Sequence, residues 1–155
     1  MISIQQMTVE LNKLLASTYS LYLKTQNFHW NVTGPLFYSS HLLFERQYEE
    51  LAEAVDIIAE RIRALGGNAA ASFAGFLHLT QIADANDETK SQGTMVKILL
   101  EDHTIVCKLL KVLIDITEEN KDSATQDVLI ERLRVHEKNA WMLRSILEQN
   151  NTGDF

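Results

Sequence analysis

The 155-residue chain is poor in the residues that staple a fold or carry positive charge. Its one cysteine, Cys107, rules out an internal disulfide, and a reducing compartment such as the cytoplasm is the simplest home for it. Its one proline, Pro35, follows Gly34 and marks a single turn. No apolar run approaches the ~20 residues that span a bilayer. The stretch MISIQQMTVELNK lacks the basic segment followed by an apolar core that marks a signal peptide. Fourteen basic residues stand against 21 acidic ones, for a net charge of −7. That balance disfavours nucleic acid as an electrostatic partner and suits attraction of cations. There is no long strand-like alternation, no internal repeat and no low-complexity tract.

What remains is ordinary globular material, 46% apolar and 23% charged, expected to form one domain over residues 1–155. Four long helical stretches stand out. In the first, Ile4, Met7, Leu11, Leu14, Thr18, Leu21, Thr25 and Phe28 alternate spacings of three and four, the seam of a helix in a bundle. The second, about 39–65, carries Phe44, Tyr48, Leu51, Val55, Ile58, Ile62 and Leu65 and stops at Gly66-Gly67. A connection over 66–88 holds a short apolar piece, SFAGFLHL. The third, about 94–119, shows Met95, Ile98, Ile105, Leu109, Val112 and Ile116. The fourth begins at Asp122-Ser123 and carries Leu129, Leu133, Ala140, Leu143 and Leu147. The expected class is all-α, a four-helix bundle with a short helix in the long connection between its second and third helices.

The segment NFHWNVTGPLFYSSH, residues 27–41, places His29 and His41 on either side of the Gly34-Pro35 turn. If the flanking helices are antiparallel, both rings lie near one end of the bundle. Glu45 stands one turn after His41 on its face. Further along, in AVDIIAERI, Asp56 and Glu60 share a face at i and i+4. Histidines with carboxylates suit iron, zinc and manganese, and a two-histidine, one-carboxylate set suggests iron(II). The separation is the obstacle. His41 and Asp56 are ~22 Å apart along one helix at 1.5 Å per residue. Either the two groups do unrelated work, or a second chain supplies the missing half across a twofold axis, which would make two identical sites. Each group alone has a plainer reading: a polar residue at a helix end for either histidine, a solvated face for Asp56 and Glu60, packing for Trp30. Together they are less ordinary. His78 is expected in packing or at the surface, His103 at the polar boundary of its helix, and His136 as a hydrogen-bonded buried ring. Asp122, Asp127 and Glu131 descend one face over ~13 Å near the start of the fourth helix. Acidic residues there also favour the helix dipole.

The stretch NFHWNVTGPLFYSSHLLFERQYEELAEAVDIIAERIRALG resembles the signature of the Dps miniferritins (DNA-protection-during-starvation proteins). The likeness is close over residues 25–66, and the helix layout extends it over nearly the whole chain. The resemblance implies a ferritin-like bundle assembled as a hollow homo-dodecamer. It implies a ferroxidase centre for two iron ions at a subunit interface, built from His29, His41, Glu45, Asp56 and Glu60. Iron(II) would be oxidised, preferably by hydrogen peroxide, and stored as a ferric mineral in defence against oxidative damage. Trp30, beside His29, would surrender an electron if a radical formed. Asp122, Asp127 and Glu131 would line acidic threefold pores. Classical ferritins instead use an intrasubunit site with Glu-x-x-His motifs. Here the residues three before each histidine are Gln26, Tyr38, Gly75, Leu100 and Leu133, which argues against that centre. Some Dps proteins coat DNA with lysine-rich tails. The first twelve residues carry no Lys or Arg, and EQNNTGDF has no basic residue, so DNA binding is expected to be weak or absent. Zinc or manganese on the same ligands stays open, since the Irving–Williams order puts zinc above iron(II).

Overall fold

Ser3 opens the first helix with a reciprocal cap. Its hydroxyl accepts from the Gln6 N–H at 3.1 Å, and the Gln6 side chain accepts from the Ser3 N–H at 2.9 Å. Helix α1 then runs over Ile4–Asn31. The computed structural model describes residues 1–86, 88 and 90–149; residues 150–155, most of the acidic EQNNTGDF tail, lie outside that range. From Met7 to Phe28 every seam residue expected from the spacing is buried, each large apolar one contributing about 2 kcal/mol. Ile4, the first of the expected series, is instead 63% exposed at the mouth of the helix.

The chain reverses through Gly34, at φ 105°, and α2 (Phe37–Ala64) runs back along α1. Helix α2 ends where the glycines predict. Gly67 N–H donates to Ile62 C=O at 3.0 Å and Gly66 N–H to Arg63 C=O at 2.9 Å. Gly66 sits at φ 88°, where a side chain would be strained. The connection carries the expected short helix, α3 (Phe73–Leu79), laid against α1. Helices α4 (Gln92–Glu119) and α5 (Ser123–Gln149) complete the bundle, with α1 packed chiefly on α2 and α4 on α5.

Cross-helix pairs fix the directions. Ile2 with Asn120 and Lys24 with Asp102 make α1 antiparallel to α4. Arg61 with Asp122 and Glu50 with Arg132 make α2 antiparallel to α5. Helices α2 and α4 are therefore parallel, which is why their connection must traverse the bundle.

Two expectations fail on α4. Of the expected column of Met95, Ile98, Ile105, Leu109, Val112 and Ile116, only Met95 and Leu109 are buried. Val112 is 57% exposed, and Ile98, Ile105 and Ile116 are only half-buried. The core face carries Met95, Val96, Leu99, Asp102, His103, Val106, Cys107, Leu109, Leu110, Leu113 and Thr117. His103, expected at the polar boundary, is fully buried. The reason is a polar layer crossing the bundle at one height. Lys24 of α1 pairs with Asp102 of α4 at 2.8 Å, and His103 meets His136 of α5 at 2.9 Å. Arg132 of α5 binds His136 and the Glu50 carboxylate of α2. Removing either partner of the Lys24–Asp102 pair would strand a charge in the core, so the layer penalises any other register of the helices.

Candidate metal centre

His29 lies in the last turn of α1 and His41 in the second turn of α2. The two rings stack with centroids 3.8 Å apart and planes 15° apart. Each imidazole is tied to the other's backbone. His29 Nδ1 lies 2.8 Å from the His41 carbonyl oxygen, and His41 Nδ1 lies 2.7 Å from that of His29. A carbonyl oxygen only accepts, so both Nδ1 atoms carry protons and donate. In the neutral rings this tautomer leaves both Nε2 atoms with free lone pairs, the state a metal ligand needs. The arrangement also satisfies the His29 carbonyl, one of the acceptors left without an intrahelical partner at the end of α1. Phe37 stacks on His41 with centroids 5.0 Å apart.

The other expected ligands stand apart. Glu45 is half-buried one turn along α2 from His41, and Asp56 and Glu60 are exposed on the same helix. Helix α2 is continuous from Phe37 to Ala64, so the ~22 Å separation of His41 from Asp56 holds. Among the described residues no three His, Cys, Asp or Glu side chains converge to hold a metal ion. One chain therefore presents the expected set as two halves. Trp30 is 63% exposed. A residue that spacing placed only in the core stripe, Tyr48, sets its ring edge against His29 with centroids 5.1 Å apart. It lies two turns from His41 on α2, and that i+7 relation was the available signal. Burial, then the neighbouring Glu45 and Glu49 carboxylates, raise its phenol above the ordinary range.

A family profile described as a ferritin-like domain matches residues 9–152. A curated relative, the DNA protection during starvation protein 2 of Bacillus anthracis, is 37% identical and aligns over 94% of this chain and 99% of its own length. The crystal structure of a Dps protein from Bacillus brevis superposes with a TM-score of 0.90 at 38% identity, covering 95% of this chain and 99% of that one. The chain belongs to the Dps family of miniferritins. A Dps structure from Vibrio cholerae, described as a member of a superfamily of ferritin-like diiron-carboxylate proteins, superposes at 0.89 with 30% identity, over 93% of this chain and 90% of that one. The family is one of iron storage and oxidative protection. In this Dps chain no helix among the described residues is long and apolar enough to cross a membrane.

The expected pore residues of this Dps chain have unequal surroundings. Asp122 caps α5, accepting from the Thr125 N–H at 3.1 Å, and pairs with Arg61 at 3.2 Å. Partial burial alone would raise its carboxyl, but the Thr125 hydrogen bonds and the Arg61 charge outweigh it and hold the carboxyl below the usual range. Glu131 pairs with Arg134 on its own helix, and Asp127 is exposed.

Proposed function

We propose that the protein is a ferroxidase and iron store whose metal centre is shared between two subunits. His29, His41 and Glu45 of one chain would meet Asp56 and Glu60 of another, with α2 packed antiparallel on its copy about a twofold axis. The observation that carries this reading is the reciprocal tie between His29 and His41, which leaves the Nε2 atoms of both rings free while, among the described residues, no three His, Cys, Asp or Glu side chains converge to complete a metal site. Iron(II) is the substrate. Carboxylates stabilise iron(III) over iron(II), and neutral imidazoles hold the incoming ion without adding charge. With two ions bound, one hydrogen peroxide takes one electron from each: two iron(II) and one peroxide give two iron(III) and two hydroxides, with no hydroxyl radical released. The assembly is a closed homo-dodecamer in the cytoplasm that stores ferric mineral. Asp122, Asp127 and Glu131 line its acidic threefold pores, and Trp30 is available as an electron donor beside His29.

Mixing subunits tests the shared centre. His29→Ala/His41→Ala and Asp56→Ala/Glu60→Ala proteins should each be inactive, and their mixed assembly should recover part of the iron oxidation. Proven mixed assemblies that never recover would overturn the shared site. Anaerobic iron(II) loading followed by peroxide, with ferric absorbance and bound iron read together, separates iron chemistry from a zinc or manganese site.

DNA coating is disfavoured as the main role. The net charge is −7, which opposes contact with phosphates. Tight, salt-resistant retardation of DNA in a gel would reverse that judgement.

A further inference from the structure

Peroxide accepts two electrons, and one iron(II) supplies only one. A ferroxidase that takes ions singly therefore needs another source whenever peroxide arrives at a half-filled site. Three tyrosines lie in consecutive ring contact from the histidine pair inward along α1 and α2. Tyr48 meets His29 at 5.1 Å and 71°. Tyr22 meets Tyr48 at 6.0 Å and 68°. Tyr19 meets Tyr22 at 5.6 Å and 70°. Tyr19 also packs on Phe76 of α3 and lines an apolar cleft of about 420 Å³. Trp30 is exposed, and no ring contact joins it to either histidine among the described residues.

Resting on the proposed ferroxidase reading, we infer that Tyr48 is the first electron donor to a singly loaded site, and that Tyr22 and Tyr19 draw the resulting radical away from the metal. The step balances. Iron(II), hydrogen peroxide and the Tyr48 phenol give iron(III), the Tyr48 phenoxyl radical, one water and one hydroxide. The peroxide O–O bond and the phenol O–H bond break, and the phenolic hydrogen completes the water. The radical then moves by electron transfer through the ring contacts, Tyr48 regaining an electron from Tyr22 and a proton from solvent as the Tyr22 hydroxyl gives its proton up, and Tyr22 in turn from Tyr19. This order suits a protective protein, because the oxidising equivalent ends beside an apolar cleft and leaves the ligands intact. Among the described hydrogen bonds the Tyr48 hydroxyl has no protein partner, so its place beside His29 is not explained by a structural bond.

The test uses the assembled full chain, loaded anaerobically with less than one iron(II) per site, mixed with hydrogen peroxide and freeze-quenched for electron paramagnetic resonance. The wild type should give a phenoxyl signal. Tyr48→Phe removes only the hydroxyl and should lose that signal while ferric iron still forms. Tyr22→Phe should keep the first-formed phenoxyl but confine it to Tyr48, seen as stronger magnetic broadening by the adjacent iron(III). Trp30→Phe should leave the signal in place. Ferric iron with an undiminished phenoxyl signal in Tyr48→Phe would overturn this inference alone, as would a wild-type indole radical that disappears in Trp30→Phe. No ferric absorbance from the wild type under any loading would overturn the ferroxidase reading and this inference with it.

Discussion

The bundle contains two histidine pairs, each bridging antiparallel neighbours, and their surroundings give them opposite characters. At the end of the bundle, His29 and His41 spend their Nδ1 protons on backbone carbonyls and keep Nε2 open. In the core, Arg132 donates to His136 Nε2 at 3.1 Å, so His136 must hold its proton on Nδ1 and donate it to His103 Nδ1. The His103 proton is then on Nε2, which has no protein partner. The first pair offers lone pairs to a cation. The second is closed by a guanidinium, which repels one. What distinguishes the proposed ligand pair from the core pair is the identity of each ring's hydrogen-bond partner, a carbonyl in one case and a cation in the other.

Breaking the outer pair should give the largest effect on activity. His29→Ala/His41→Ala is expected to slow iron oxidation by about a hundredfold or more, as loss of the proposed metal ligands exceeds the usual cost of losing their supporting partners. Stopped-flow ferric absorbance measures it. The thermal midpoint should move little, since each ring gives up one side-chain hydrogen bond worth about 1 kcal/mol.

Breaking the inner pair should reverse that pattern. Arg132→Met leaves the Glu50 carboxylate and His136 Nε2 without the guanidinium, at a cost of about 3 kcal/mol. Calorimetry should show a clear fall in the unfolding midpoint, while iron oxidation per folded subunit stays at the wild-type level. Equal losses of both in either variant would erase the contrast between the pairs.

Acid should sharpen the difference. Burial, then the charge of Arg132, lowers His103 to about 3; burial, then His103 and Arg132, lowers His136 well below its usual value. Both rings are neutral in the fold and would protonate on unfolding below pH ~6.5. Stability is therefore intact above pH ~6.5 and is lost as pH falls toward 3, by about 1.4 kcal/mol per pH unit for each proton taken up. Asp102 of the same layer, raised mainly by burial against the pull of Lys24, works in the opposite sense and moderates the loss. Unfolding midpoints followed from pH 7 to 4 should fall steeply in the wild type. In His103→Gln, less stable at neutral pH, the slope should be shallower. An unchanged slope would mean the inner pair does not titrate on unfolding.

The smallest effect is expected at the acidic face of α5. Asp127→Asn should slow mineral growth at low salt by less than about tenfold, an effect that added salt removes. It should leave the assembled mass unchanged in light scattering. Asp122→Asn is a less clean probe, because it also removes the charge that pairs with Arg61.

The sequence was a good guide where the signal lies along one helix. Seven of the eight α1 seam positions are buried, since spacings of three and four place them on one face whatever that face meets. Helix α4 was read only in part: Met95 and Leu109 are buried as expected, but the core face also contains Asp102, His103 and Thr117, all buried. Their burial depends on Lys24 and His136 from other helices, and no periodicity in α4 announces those partners. For the same reason Tyr48 was read as part of a stripe, and its contact with His29 across the α1–α2 interface was not.

The helices, the Gly34 and Gly66 turns and the inability of His41 and Asp56 to reach one ion from the same chain were all legible along the chain. Each of these follows from covalent geometry, a fixed rise per residue and the conformations open to glycine. The nitrogen of each histidine that holds its proton, the acidic residues already paired and the full inward face of α4 emerge only from the packed bundle. Those outcomes depend on which groups from different helices come within hydrogen-bonding distance, and a position along the chain does not specify that.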